Sequence, residues 1–281
     1  VRVITSHNDD VLGRWVYHEW KPPLLAGLVD RFWYSAGTAT LPRKRIFPNG
    51  MLELLVTLGE PMRLVEGQGV DRFIAGTVSG LHSRPLTIAM GASQETLGLR
   101  LRPAGAYALL ARPLGELSDV TLELDAIVGR VARELAARVQ DAASIAERFQ
   151  LVHDWVRERV ARATTIEPAV AWSATQIERS AGAVPIAALR RETGLSKTRL
   201  AAAFRDQIGF TPKRYARILR FRRALALLHE GTLPAIEVAL EAGYYDQPHM
   251  VADFRTMAGM TPRQFASARR YAQSMSTAHP A

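Results

Sequence analysis

The chain has no cysteine, which excludes disulfides, thiolate metal sites and cysteine nucleophiles together. No uninterrupted apolar run approaches the ~20 residues a membrane-spanning helix needs. The first residues, VRVITSHNDDV, lack a basic segment followed by an apolar core. No signal peptide and no membrane partner are therefore expected, and a cytoplasmic location is. Histidine is sparse. In the N-terminal half His7, His18, His82 and His153 form no close His-x-His pair of the kind that holds a metal in a barrel, and no Gly-x-Ser-x-Gly elbow or phosphate-binding loop occurs. No metal, no cofactor and no enzymatic activity are expected.

What is present is an ordinary globular composition. The chain has 281 residues, 48% hydrophobic and 22% charged, enough for about two domains with real cores. Its charge is uneven. Residues 1–167 hold 20 basic and 19 acidic side chains, whereas residues 168–281 hold 16 basic and 8 acidic ones. A cationic excess confined to one end points to a polyanion-binding part joined to a neutral part.

The cationic part contains a repeat. Phe204-Arg205 recurs as Phe254-Arg255, Gly209 as Gly259, Thr211-Pro212 as Thr261-Pro262 and Tyr215 as Phe265, each offset by fifty residues. In the first copy Pro185 suits a helix start and Gly194 a left-handed helix end. Ser196 caps a helix whose Leu200, Ala203 and Phe204 share one face. Thr211 caps a long, basic helix beginning at Pro212. In the second copy a short amphipathic helix ends at Gly243, and Asp246 caps a helix from Gln247 to Ala258. Helix, glycine turn, helix is the helix-turn-helix plan, whose second helix fits the major groove of DNA. A plain bundle with recurrent caps is the competing reading. It leaves unexplained the two matched units and the nine basic residues against one acidic residue between Lys197 and Arg223.

The region from about Trp172 to Arg270 resembles the DNA-binding region of the AraC/XylS family of bacterial transcription regulators. The resemblance is carried by Ala242-Gly243-Tyr244, Asp246-Gln247, His249, Phe254-Arg255, Gly259 and Thr261-Pro262. It implies two helix-turn-helix units joined by one long helix, with recognition helices about one DNA turn (~34 Å) apart. By position, Lys197, Thr198, Ala201, Ala202 and Arg205 in the first unit and Gln247, His249, Val251 and Ala252 in the second take the base-facing places. Alanine has no hydrogen-bonding group for a base edge, so readout by the second unit rests on Gln247 and His249, with a packing role the alternative for His249. Candidate phosphate contacts are Lys213, Arg214, Arg217, Arg220, Arg222, Arg223, Arg255 and Arg263, which position without reading sequence.

Residues 11–102 read as short strand-forming runs separated by Gly, Pro or Asn, the pattern of a barrel or sandwich. A helix near 104–110 and a helical stretch from Asp125 to Ala163 follow, the latter either packed on the strands or forming a dimer seam. FPNGMLELLVTLG and LRLRPAGAYALLARPLGELSDVTLELDAIVG resemble the β-rich domain, generally of unassigned function, that precedes some AraC-type DNA-binding regions. The expected fold is α+β: a cupin-like barrel or sandwich over 1–124, a helical linker or dimerisation segment over 125–167, an all-α tandem helix-turn-helix domain over 168–272, and a tail over 273–281.

The resemblance implies double-stranded DNA as partner, with RNA polymerase, a homodimer and a small-molecule effector as further partners. Trp15, Trp20, Trp33, Phe47 and Glu53 are the candidate effector-binding residues; the alternative is that such aromatics fill the core. Rival functions are an architectural DNA-binding protein without ligand, which a barrel lacking a cavity of ~300 Å³ would favour, and a DNA-binding module fused to an enzymatic barrel.

If about six phosphates are engaged, the logarithm of the DNA association constant should fall with the logarithm of salt concentration at a slope near −5. A salt titration of duplex binding measures it, and a slope near zero would contradict the phosphate assignment.

Overall fold

In the computed structural model, residues 3–10, 13–66, 69–73, 76–91, 93–163 and 165–267 are described. The expected tail over 273–281 lies outside them.

Eleven strands appear among these residues: β1 (Ile4–Asp10), β2 (Gly13–Trp20), β3 (Val29–Ala39), β4 (Arg43–Ile46), β5 (Leu52–Thr57), β6 (Met62–Glu66), β7 (Gly69–Phe73), β8 (Gly76–Ser79), β9 (Leu86–Ala89), β10 (Gln94–Leu101) and β11 (Thr121–Glu123). They form a seven-stranded sheet in the order β1-β2-β3-β10-β5-β8-β11 and a four-stranded sheet in the order β4-β9-β6-β7. All pairings are antiparallel. Of the two expected forms, the sandwich is present: two sheets facing one another. β1 and β11 lie outside the strand-forming region read from residues 11–102.

Strand alternation assigns the two faces of the larger sheet opposite duties. Leu52, Leu54 and Val56 on β5, with Leu97, Leu99 and Leu101 on β10, are buried on the outer face. Helices cover them: α1 (Pro103–Leu110), α2 (Leu124–Val128), α3 (Arg130–Asp141) and α4 (Ile145–Val160). Phe149 of α4 lies 6.1 Å from Phe32 between ring centroids, and Val152 and Trp155 line the same seam as Leu54, Val56, Leu97 and Leu99. The stretch from Asp125 to Ala163 thus packs on the sheet. The inner face carries Trp15, Tyr17 and Glu19 of β2, Arg31 and Trp33 of β3, Glu53 of β5 and Arg100 of β10. Gly98 permits the Trp33 indole to lie flat there, since a Cβ at that position would sit 2.1 Å from the ring. Glu19 and Arg31 pair at 2.5 Å and Glu53 and Arg100 at 2.7 Å, so charges withdrawn from water meet opposite charges.

The C-terminal half is all helix: α5 (Pro168–Arg179), α6 (Ile186–Thr193), α7 (Lys197–Ile208), α8 (Pro212–Glu230), α9 (Ala235–Glu241), α10 (Gln247–Met257) and α11 (Pro262–Ser267). The two halves share an interface. Phe47, which follows β4, packs edge-on against Phe221 of α8 and Phe265 of α11 at 6.4 and 6.0 Å. Arg45 Nη1 donates to the Ala258 carbonyl at 3.0 Å, and Arg222 Nη1 to the Asn49 carbonyl at 3.2 Å. Near the first unit, Ser118 Oγ donates to the Gly209 carbonyl and Tyr107 Oη to Asp206. The N-terminal domain therefore touches both halves of the repeat.

Phe47→Ala should cost about 3 kcal/mol, as for truncation of a buried phenylalanine, and lower the urea midpoint. A loss below about 1 kcal/mol would show that Phe47 adds nothing to a core shared by the two domains.

Candidate nucleic-acid interface

The repeat read from the sequence is present in three dimensions. Ser196 caps α7 by accepting from the Arg199 amide, Thr211 caps α8 by accepting from the Arg214 amide, and Asp246 caps α10 by accepting from the His249 amide at 2.8 Å. Thr261 and Gln264 form a reciprocal capping box at the start of α11. Residues fifty apart occupy equivalent places. Leu200 and Met250, Phe204 and Phe254, and Tyr215 and Phe265 are all buried. Gly209 and Gly259 both have positive φ, at 97° and 67°, the left-handed conformation glycine adopts without strain. α6 and α7 form the first helix-turn-helix, α9 and α10 the second. α8 runs between them, about 28 Å long at 1.5 Å per residue.

The recognition helices leave their predicted faces accessible. Lys197, Thr198, Ala202 and Arg205 are exposed and Ala201 is half-buried. On α10, Gln247 and Ala252 are exposed, while His249 and Val251 are half-buried. The His249 ring stands edge-on to the buried Tyr244 ring at 5.2 Å, so the packing role is real, and its remaining exposed edge is what could face DNA. Burial drives the Tyr244 hydroxyl well above its ordinary pKa and keeps it neutral.

The eight candidate phosphate cations divide. Lys213, Arg223, Arg255 and Arg263 are exposed with no ion pair among the described residues. Arg217 is bound to Asp253 at 2.5 Å, and Asp253 is 1% exposed. Asp253 occupies the inward place that Ala203 holds in the first unit; an acidic residue on the buried side of a helix was the sequence signal for this pair. Arg220 lies over the Tyr244 ring and donates to the Gly243 carbonyl. Arg222 bonds to Asn49 across the domain interface, and Arg222 and Arg223 both border a cleft of about 580 Å³ between the domains. Arg214 bridges to the N-terminal domain, donating to Asp119 at 2.6 Å and to the Ser83 hydroxyl. In this structure, then, Arg214, Arg217, Arg220 and Arg222 are held by the protein itself. Asp119, Ser83 and Asn49 carry no sequence signal, because their partners lie far along the chain.

The candidate effector residues also separate. Trp15, Trp33 and Glu53 line one cavity of about 90 Å³ between the two sheets, together with Lys44. Trp20 does not. It lies on the opposite face of the sheet, stacked on Phe32 at 5.2 Å and against His153 of α4, because β2 alternates and Trp20 has the parity of Val16 and His18. Phe47 borders a smaller cavity of about 40 Å³, but its ring is committed to Phe221 and Phe265. Among the described residues no group of three or more His, Asp or Glu is placed to hold a metal, and no helix is long and apolar enough to cross a membrane.

Two capped helix-turn-helix units on one connecting helix, behind a β-sandwich, define a DNA-binding protein of the two-unit class. Comparison with known families agrees. The profile described as "Helix-turn-helix domain" matches residues 189–268, and one described as "Domain of unknown function (DUF6597)" matches residues 19–123. The C-terminal domain is an AraC-type helix-turn-helix domain. No curated protein sequence matches significantly. Similar solved structures include ToxT from Vibrio cholerae, 11% identical over 84% of this chain and 98% of that one, with a TM-score of 0.46. The C-terminal domain of AraT, a response regulator from Geobacillus stearothermophilus, is 20% identical over 41% of this chain and 97% of that one, with a TM-score of 0.36. The AraC-like transcriptional activator CuxR is 18% identical over 85% and 91%, with a TM-score of 0.32.

His82 adjoins the Asp119–Ser83–Arg214 contact and shares a hydrogen bond with Ser79 at 3.0 Å. Burial lowers its pKa from 6.5 to about 4, against the opposing pull of Asp119. The folded state thus binds fewer protons than the unfolded chain between these values. Its stabilising contribution is complete above about pH 6.5 and should be lost as pH falls towards 4, by about 3 kcal/mol at most. Urea midpoints measured across this range should fall less steeply in His82→Gln than in the wild type; equal slopes would remove His82 from the account.

Proposed function

We propose that the protein binds specific duplex sites through α7 and α10 and that its N-terminal domain controls this binding through the contacts it makes with both units. The observation that carries the reading is the position of the domain interface. β4 and the residues after it hold α8, α11 and the end of α10, while the segment around Asp119 holds the start of α8. An event that shifts the sandwich changes how the two recognition helices are presented, and it frees or withholds Arg214. The sandwich cavity is too small for a drug-sized effector, for which ~300 Å³ is the lower range. The interdomain cleft of about 580 Å³ is large enough, and its walls belong to both domains. A molecule lodged there would act directly on their separation. This supports a regulator whose sensory event lies at or near the interface, over an architectural protein with a solid N-terminal domain. RNA polymerase and a second copy of the chain are partners compatible with this reading.

Selection of bound sites from random duplexes is the test. Gln247→Ala and His249→Ala should each relax preference at one part of the selected site, with a cost of about 1–3 kcal/mol for the preferred base. If both variants chose the wild-type sites with wild-type affinity, base readout by α10 would be disproved.

A further inference from the structure

Of the 36 basic side chains only four are lysines: Lys21, Lys44, Lys197 and Lys213. Three are exposed. Lys44 is half-buried and lines the cavity between the sheets. β4 alternates, so Lys44 and Ile46 face this cavity while Arg45 and Phe47 face the DNA-binding domain. Lys44 Nζ stands 5.9 Å from the centre of the Trp15 ring. Among the described residues it has no ion-pair partner. The other titratable groups of this lining are Tyr17 from β2, Glu53 from β5 and Arg100 from β10, with Glu53 and Arg100 already paired at 2.7 Å; Ser35, Gln94 and Thr96 add neutral polar groups. Met62 of β6 and Ile88 of β9 close the cavity with apolar surface. Trp33, in the same lining, keeps its buried indole N–H without an acceptor among the described residues.

A lone amine in a half-open, largely apolar space with an unused donor in the same lining is arranged for a neutral electrophile that can bond to nitrogen and accept a hydrogen bond at oxygen. The cavity, at about 90 Å³, equals the liquid volume of about three waters at ~30 Å³ each. That is room for roughly four heavy atoms. We infer that this cavity captures a short-chain aldehyde as an imine on Lys44 Nζ.

The step balances without an oxidant or a reductant. The neutral amine's lone pair forms the C–N bond as the carbonyl π pair moves to oxygen. A proton passes from nitrogen to that oxygen, giving the carbinolamine. The C–O bond then breaks, and the hydroxyl takes up a proton and leaves as water. The resulting iminium replaces one cation beside Glu53 by another, so the charge of the site is preserved. Burial favours the reactive form: it lowers Lys44 from 10.5 to about 8, although Glu53 pulls the other way. About half of the amine is then neutral at pH 8, where an exposed lysine is almost wholly protonated. Because Arg45 and Phe47 lie on the other side of the same strand, an adduct on Lys44 pushes against the contacts to Ala258, Phe221 and Phe265. This coupling, though not the capture itself, rests on the control proposed above.

The test uses the full chain, propanal and sodium cyanoborohydride at pH 8, with peptide mass spectrometry of all four lysines. Lys44 should gain a propyl group at least ~10-fold faster than Lys21, Lys197 or Lys213, and Lys44→Arg should abolish that adduct while the other three react as before. Benzaldehyde, with twice the heavy atoms, should show no preference for Lys44. Propylation of Lys44 no faster than of the exposed lysines, or an equal preference with benzaldehyde, would overturn the capture. Duplex affinity is measured in parallel. Selective propylation with a change in affinity that Lys44→Arg lacks supports both capture and control, whereas selective propylation with affinity unchanged supports the capture and overturns control through β4.

Discussion

Burial of the apolar side of α8 is the constraint on which the rest of the molecule depends. This helix carries Tyr215, Ile218, Leu219, Phe221, Ala224, Leu225, Leu227 and Leu228 out of water. It packs with α5 and α7 at the first unit and with α9, α10 and α11 at the second. Phe221 meets Phe254 at 4.9 Å and Phe47 at 6.4 Å. One ring therefore sits where the connecting helix, the second recognition helix and the sandwich come together. Interiors packed this closely pass small displacements on rather than absorbing them. That makes the spacing of the recognition helices a property of the whole chain and not of the repeat alone.

The larger sheet imposes a second constraint. Its apolar face is turned outwards to the helices, so the main core of the N-terminal domain lies between β-sheet and α1 to α4, not between the two sheets. The space between the sheets receives aromatic rings, an ion pair and a lysine. A domain that had filled this space with leucine would be a spacer. Here the remaining volume is small, polar in part and separated from the DNA-binding domain by a single strand.

Charge explains less of the interface than its total implies. A basic residue in a cationic domain has two available partners, the phosphate backbone and the acids of its own fold. Asp253 and Asp119 claim Arg217 and Arg214, and backbone carbonyls claim Arg220 and Arg222. Lys213, Arg223, Arg255 and Arg263 remain exposed. Exposed pairs such as Arg214 with Asp119 are weak enough to be exchanged, whereas Arg217 closes over an acid that has no access to water. The first can serve as a switch; the second is a structural tie.

The repeat, its caps and its inward and outward residues were legible in the amino-acid sequence because they are local. A cap spans three residues, a helical face four, and a glycine turn declares its own backbone conformation. The alternation of β2 also contained the answer for Trp20, which shares its parity with Val16 and His18; what was missing was which parity faced the helices. β1 and β11 lacked the apolar signature of a buried strand because they are the outermost strands of the larger sheet. The destinations of the arginines could be decided only by the tertiary structure. Arg214 reaches an acid 95 residues away, and Arg45 a carbonyl 213 residues away, and no sequence spacing encodes a contact made by folding two domains against each other. Sequence by itself determined that this chain carries two matched helix-turn-helix units, since each is specified by interactions within a few turns of helix. The tertiary structure decided which cations remain for DNA, which ring fills a core and which lysine faces a cavity, since those outcomes depend on surfaces that exist only once the domains meet.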